Sequence, residues 1–356
     1  MEIQAPVAVH FAPTFGNKRL RTMEMDQALL DDVLKQGSVK IKGGKDDEAV
    51  LCTKETTYQI RFLEYSNAQL LLDPETGGKY GSNKCSVVGQ TSGYYELKQK
   101  RPNLLKVGDV LAKHVYSGPD SQQQQGLAFE QLESAVQASQ EEIKAELARM
   151  GALEAGGRWF QVDAAYKADI MDSILDLVVE HDWPLAAVPC AECVEAVRAV
   201  DANFSPEAAR LCLSELSGPA TPEATTMALE EKKVCYFRAK QLLQAQAKKG
   251  LAQYELEEFK EAWKAKVPSG MEPSIDMLRG LALLEETGSR TTLRMLTVDE
   301  LPHDTASRFR FLFGVRSKWA REDLQPYLDG LAEPGQTDDQ LLLRNTRVIQ
   351  PVQGKP

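Results

Sequence analysis

"GRWFQVD", residues 157–163, is the stretch whose reading decides the fold. Its core alternates, carries two aromatics and a β-branched residue, and follows a Gly-Gly turn, so it reads as a strand. Just ahead lies "SQEEIKAELARMGALEAG" (139–156), where Ser139 and Glu142 stand at capping-box spacing before Ile143, Leu147 and Met150. That pattern predicts a helix beginning at Ser139. Upstream, "FEQLESAVQ" sets Phe129, Leu132 and Val136 on one stripe of a further helix. The local order is helix, helix, small-residue turn, strand.

The order returns twice. At "FSPEAARLCLSELSG" Ser205 is an N-cap, Pro206 takes the first helical position, and Leu211, Leu213 and Leu216 follow, with "KVCYFRAK" (233–240) as the strand. At "PSIDMLRGLALLEETGSRTTLRMLTV" a helix is expected from Ser274 to Leu284, then a polar turn and a strand through Leu293, Met295 and Leu296. The spacing is about 65 residues, measured from Leu153 to Leu216 to Leu283. Further amphipathic helices, "KADIMDSILDLVVEHDW" and "RAKQLLQAQAKKG" followed by "YELEEFKEAWKAKV", precede the second and third copies. Three helices closed by a short strand pair describe a winged helix, and a tandem of such units fits the period; a generic helical repeat is the alternative. "GRWFQVD" is then the wing strand of the first unit, with its aromatics packed on the helices behind.

Between Ser38 and Leu97 the character differs. "SVKIKG", "AVLCT", "TYQIRFL", "AQLLLD", "KCSVVGQT" and "YYEL" are short β-rich runs separated by Gly, Asn, Asp and Pro. They predict a barrel or meander of five or six strands. A β-domain of roughly 60 residues buries little by itself, so a partner's strands can complete it; a self-contained barrel is the alternative. The surface residues assigned to such an interface are Val39, Ile41, Val50, Tyr58, Ile60, Phe62, Leu70, Leu72, Val87 and Tyr94. The basic run "LKQKRPNLLK" after it reads as a solvated face, and "YSGPDSQQQQG" as a flexible loop at a domain boundary. The predicted fold is α+β, with a small N-terminal β-barrel-like domain followed by tandem winged helices. The expected divisions are an unassigned segment 1–35, a β-domain 36–115, a linker 116–126, winged units 127–165, 166–240 and 241–331, and a flexible tail 332–356.

At 356 residues the chain exceeds one ordinary core, and its 43% apolar and 26% charged content is that of a soluble globular protein. No stretch approaches the roughly 20 apolar residues of a membrane span, and the start lacks signal-peptide order, which makes cytoplasm or nucleus the default. Six cysteines (Cys52, Cys85, Cys190, Cys193, Cys212, Cys235) sit among apolar neighbours and read as buried hydrophobes without disulfides.

Catalytic chemistry is sparse. None of the four histidines (His10, His114, His181, His303) has a triad setting, and no phosphate-loop, dinucleotide, nucleophile-elbow or zincin motif occurs. The glycine-rich "TGGKYGSNK" lacks phosphate-loop spacing and reads as a hairpin turn. "PCAEC" places Cys190 and Cys193 at Cys-x-x-Cys spacing, but a zinc site needs a second pair and a redox pair needs a βαβ setting. No cofactor or metal is expected.

The net charge of −10 and pI near 5.2 disfavour a protein coated by nucleic acid, so local charge must decide. The first unit carries Glu141, Glu142 and Glu146 and would repel phosphate; the second is mixed. The third has Arg279, Arg290 and Arg294, followed by Arg308, Arg310, Arg316, Lys318 and Arg321 in "SRFRFLFGVRSKWAR", which contains no acid. DNA binding therefore belongs at the C-terminal end, with a merely solvated basic helix face as the alternative.

"SGPDSQ" (117–122), "QASQEEI" (137–143), "VPSGMEPSIDMLRGLAL" (267–283) and "RFRFLFGVRSKWAREDLQPYLDGL" (308–331) resemble the DCC-type sister chromatid cohesion family, through much of residues 36–331. The resemblance implies a subunit of the alternative replication factor C clamp loader, without an ATPase motif of its own. It implies that the β-domain joins a small accessory subunit and the tail of the large ATPase subunit in a composite barrel. It further implies that the winged helices reach the catalytic subunit of DNA polymerase epsilon and DNA. Glu141, Glu142, Glu146, Arg158 and Trp159 would then face the polymerase, and the C-terminal cations single- or double-stranded DNA. The expected function is a nuclear, non-enzymatic adaptor for sliding-clamp loading or unloading, DNA replication and cohesion. A sequence-specific winged-helix transcription regulator is the rival reading, and an enzyme built on the Cys-x-x-Cys a distant third.

Overall fold

The computed structural model describes residues 8–16, 20–45, 47–74, 84–119, 126–219, 221, 224–251, 253–288, 290–302 and 304–347. It is an α+β protein whose chain forms two compact units, residues 1–104 with 133–146, and residues 105–132 with 147–356.

The first unit is built on one sheet. Its elements are β1 (Ala8–Phe11), β2 (Met23–Glu24), α1 (Gln27–Gln36), β3 (Lys40–Lys42), β4 (Val50–Cys52), β5 (Thr57–Pro74) and β6 (Lys84–Gln99). Strand order is β1-β6-β5-β4-β3, with β2 also on β6. The sheet is open rather than a closed barrel, because among the described residues no strand joins β3 back to β1. The four runs expected as separate strands between Thr57 and Leu97 are two long ones, β5 and β6. Polar "EYSN" and "TSG" do not interrupt them, because the antiparallel ladder absorbs the irregularity between Glu64 and Gln69. Gly93 is required at that point, since a Cβ there would lie 2.1 Å from the Leu63 carbonyl oxygen. The predicted hairpin turn falls, apart from Lys84, outside the described residues.

Residues 1–35, left unassigned from sequence, supply β1, β2 and most of α1. Asp26 caps α1 by accepting from the Leu29 amide at 2.8 Å, and Gly37, at φ 69°, ends it. Residues 133–146 also belong to this unit, and come from α3 (Phe129–Ala135) and α4 (Gln140–Arg149). The predicted capping box is present: Ser139 N donates to Glu142 Oε2 at 2.9 Å, and Glu142 N to Ser139 Oγ at 3.2 Å.

The second unit opens with α2 (Leu105–Leu111) and β7 (Val115–Tyr116), and has β8 (Leu153–Ala155) and β9 (Arg158–Val162) in the sheet order β7-β9-β8. "RWFQV" is thus a strand, as its alternation predicts. Phe160 is buried edge-on to Tyr116 at 5.5 Å, while Trp159 stays half-exposed. Next come α5 (Ala164–Glu180), β10 (Val188–Pro189), α6 (Cys190–Val200), α7 (Pro206–Leu216) and β11 (Thr226–Met227), with β10 antiparallel to β11. Ser205 caps α7 with Pro206 in its first turn, as read from the sequence.

The third stretch holds α8 (Glu231–Lys248), β12 (Gln253–Glu255), α9 (Leu256–Lys266), a 3-10 turn over Ile275–Leu278, β13 (Ala282–Thr287) and β14 (Arg290–Met295), in the order β12-β14-β13. Two expectations are corrected here. "KVCYFRAK" is helix, not strand: Val234, Cys235, Ala239 and Leu243 recur at helical spacing and all are buried. The helix expected from Ser274 to Leu284 is a single 3-10 turn, stopped by Gly280 at φ 83°, after which the apolar run "LALL" enters β13. A short unbroken apolar run does not distinguish a buried helix from a buried strand.

The chain closes with α10 (Thr305–Val315), α11 (Arg321–Leu324) and α12 (Asp338–Asn345). They enclose a second core of Leu301, Phe309, Leu312, Leu324, Tyr327 and Leu341. The helix α12, in the segment expected to be a flexible tail, starts with a full capping box from Thr337 and Gln340. Most of the predicted linker, residues 120–125, lies outside the described residues. Among the described residues no helix is long and apolar enough to cross a membrane.

Candidate functional site

Two surfaces collect the predicted functional residues. In the first unit, β5 runs past the short β4 and pairs there only with β6, which carries β1 and β2 on its far side; this overhang of β5 on β6 forms a ribbon with one open edge. Every residue from Arg61 to Leu70 is exposed, on both faces. Phe62 pairs with Tyr95 across the ladder (ring centroids 5.2 Å) on one face, and Tyr65 stacks with Tyr94 at 5.4 Å on the other. Phe62 is 48% exposed, and Leu70 and Leu72 49% each. A ribbon apolar on both faces gains nothing from facing water, and its outer edge beyond Arg61 pairs with no strand among the described residues.

The ten residues assigned to the partner interface divide accordingly. Ile41, Phe62, Leu70 and Leu72 are exposed; Val39, Tyr58, Ile60 and Tyr94 are partly buried; Val50 and Val87 are core. Burial raises the Tyr58 and Tyr94 hydroxyls above the usual tyrosine value. Sequence reading missed Leu63, Tyr65 and Tyr95 on the ribbon, and Val9 and Phe11 on β1. The signal was present in "AVHF" and in the alternation that continues through "FLEY".

The residues expected to face the polymerase are partly spent inside the protein. The Glu142 carboxylate accepts from the Thr57 hydroxyl at 2.6 Å as well as from Ser139 N, and Glu141 pairs with Lys144 at 3.1 Å. Glu146 is half-buried on α4. Arg158 donates to the Gly126 carbonyl at 2.9 Å, and Trp159 exchanges backbone bonds with Leu127.

The C-terminal cations look different in space than in sequence. Arg279 meets Asp276 at 2.9 Å and Glu322 at 2.8 Å, Arg294 meets Glu285 at 3.0 Å, and Arg321 meets Asp339 at 2.5 Å. Arg316 donates to the Leu284 carbonyl at 2.5 Å, lies 3.6 Å from Asp323, and sits over the Trp319 ring. Arg308 is only 5% exposed and donates to the carbonyls of Pro302 (2.6 Å) and Tyr327 (3.2 Å), so it is a strut of the second core. Arg290, Arg310 and Lys318 are exposed and, among the described residues, make no ion pair. The acids absent from the linear basic run are supplied from elsewhere, Asp323 to Arg316 and Asp339 to Arg321, while Glu322 reaches Arg279 across 43 residues.

Cys190 and Cys193 lie on the buried face of α6. Burial pushes the Cys193 and Cys212 thiols up to about 12 and Cys235 to about 11, opposite to what a nucleophilic thiolate needs. Among the described residues no group of His, Cys, Asp and Glu is placed to hold a metal ion.

A family model described as sister chromatid cohesion protein Dcc1 matches residues 20–328, which takes in the ribbon, most of the helices of the second unit and most of the second core. The chain belongs to the Dcc1 family. Sister chromatid cohesion protein DCC1 of Xenopus tropicalis is 31% identical over 349 residues, covering 95% of this chain and 88% of that protein. The Danio rerio and Homo sapiens DCC1 proteins are each 32% identical, covering 91% and 90% of this chain and 85% and 84% of their own lengths. The Dcc1 match stops before α12.

Proposed function

We propose that this chain is the non-enzymatic adaptor subunit of an alternative replication factor C-like clamp loader, acting in the nucleus in sister chromatid cohesion and DNA replication. Membership of the Dcc1 family supports the role in cohesion. The observation that carries the adaptor reading is the β5–β6 ribbon, apolar on both faces and open along its outer edge. Such a ribbon is completed by strands of other chains, here the small accessory subunit and the C-terminal tail of the large ATPase subunit.

In this reading the segments 127–165, 166–240 and 241–331, which hold α3-α4-β8-β9, α5-β10-α6-α7-β11 and β12-α9-(3-10)-β13-β14, are three winged helices, with α8 running across the boundary of the last two. The first, through Arg158 and Trp159, faces the catalytic subunit of DNA polymerase epsilon. DNA, single- or double-stranded, is met at the C-terminal end by Arg290, Arg310 and Lys318, with the sliding clamp engaged only indirectly. These three cations, without an ion pair among the described residues, give weak, salt-sensitive contact, which suits an adaptor rather than a sequence-specific regulator.

The test is co-expression of the full chain with the small subunit and the large-subunit tail, followed by size exclusion. A stoichiometric trimer that Phe62→Asp with Leu70→Asp dissolves is expected. A trimer indifferent to both substitutions overturns the assignment of the ribbon.

A further inference from the structure

The outer edge of β13 is unlike the other sheet edges of its unit. The β13 strand is terminal in its sheet, and among the described residues no strand pairs with it on that side. The Leu284 carbonyl points out along this edge and is met by the Arg316 guanidinium at 2.5 Å, a side chain standing where a neighbouring strand would donate. Arg316 has two other partners, Asp323 at 3.6 Å and the Trp319 ring at 5.3 Å, so it can leave the carbonyl without losing every contact.

Beside this edge lies a cavity of about 150 Å³, floored by Leu278, Leu283 and Tyr327 and rimmed by Arg279, Arg316 and Asp323. A cavity of this order holds about one benzene-sized group. The Leu284 side chain also lines it and is 38% exposed. Around the mouth, Arg279 and Arg316 are outnumbered by Asp276, Glu322 and Asp323, and Glu286 stands exposed two residues along the edge. The surroundings are net acidic, which disfavours phosphate and favours a cationic neighbour.

We propose that the β13 edge is a docking site for an extended peptide segment of a protein partner, one apolar anchor residue flanked by Lys or Arg. The segment adds as a strand beside β13, its amide taking the Leu284 carbonyl in place of Arg316. The anchor enters the cavity, and the basic residue pairs with Glu286 or the carboxylates at the mouth. The mode is strand addition, with backbone bonds giving affinity and the cavity giving specificity.

The experiment selects a displayed library of random ten-residue peptides on the full chain and measures one enriched synthetic peptide by fluorescence anisotropy. Enrichment of an apolar residue with Lys or Arg within two positions is expected, with binding lowered about tenfold or more by Leu284→Asp and several-fold by Glu286→Lys. Glu286 is exposed, so its variant keeps the fold and the test stands even where Leu284→Asp lowers stability. DNA affinity measured on the Leu284→Asp chain is expected to be unchanged, which separates this site from the nucleic-acid reading. Lack of any enriched consensus, or a peptide whose binding ignores both substitutions, overturns the proposal.

Discussion

The Lys42 ammonium donates to the carbonyls of Ala138 at 2.6 Å and Val136 at 3.2 Å, so a strand residue caps the end of a helix more than ninety positions along the chain. Its neighbour Lys40 meets Glu133 at 2.6 Å. Burial alone would raise the Glu133 carboxyl, but hydrogen bonds from Lys40 and Gln140 hold it below its ordinary value. Lys42→Met takes the ammonium from the Ala138 carbonyl and leaves the Val136 carbonyl with the Ala138 amide alone, and is expected to cost about 1–3 kcal/mol, read as a lower denaturant midpoint with an unchanged slope.

Interface and core residues of the sheet separate by substitution. Phe62→Asp and Leu70→Asp act on surface that is already exposed, so the isolated chain keeps its melting temperature within about a few degrees and loses only assembly. Val50→Asp or Val87→Asp buries a carboxylate in the core and is expected to abolish folding in circular dichroism, with or without partners.

Arg308 and Arg310 are two residues apart and have opposite assignments. Arg308→Ala takes its donor from the buried Tyr327 carbonyl and from the half-buried Pro302 carbonyl, lowering stability by about 2–4 kcal/mol. Arg310→Ala with Lys318→Ala leaves the thermal melt unchanged, weakens DNA binding, and reduces the slope of log K against log salt by about 2.

Gly314 lies within α10, and a Cβ built on it meets nothing within 4 Å. Gly314→Ala therefore removes backbone freedom from the unfolded chain without a clash, and is expected to stabilise the protein by about 0.5–1 kcal/mol in denaturant melts.

Alkali is expected to unfold the chain through its thiols. Cys193, Cys212 and Cys235 are raised by burial from 9.0 to about 12, about 12 and about 11. Between those values the folded state holds protons that the unfolded state has released. The stability they contribute is complete below pH 9 and is lost as pH rises toward 12. Melting temperature should fall steadily across that window, and Cys193→Ala should flatten the fall.

Elements with their own local signal were legible in the sequence. Ser139 with Glu142, Ser205 with Pro206, and the alternation of "RWFQV" are each complete within a few residues, and each stands in the structure as read. Failures came where the deciding fact lay elsewhere in the chain. "KVCYFRAK" has β-prone residues, yet packing of Val234, Cys235 and Ala239 made it helix. "LALL" fits either period until Gly280 breaks the turn before it. The C-terminal cations were the hardest, because Arg279, Arg294 and Arg321 take their acids from sequence neighbours and from distant segments alike. A linear window around them shows cations, and only the folded chain shows that Arg290, Arg310 and Lys318 make no ion pair among the described residues.

The two-faced ribbon also governs how the protein can be supplied to the cell. Synthesised ahead of the partners proposed for it, the chain presents Phe62, Leu70, Leu72 and an open strand edge to every other nascent chain, features that chaperones and degradation machinery respond to. Its steady-state amount is then set by the supply of whatever covers the ribbon. With the proposed partners, overproduction of this chain alone is expected to yield turnover or aggregate, and depletion of a covering subunit to lower its level without any change in its messenger.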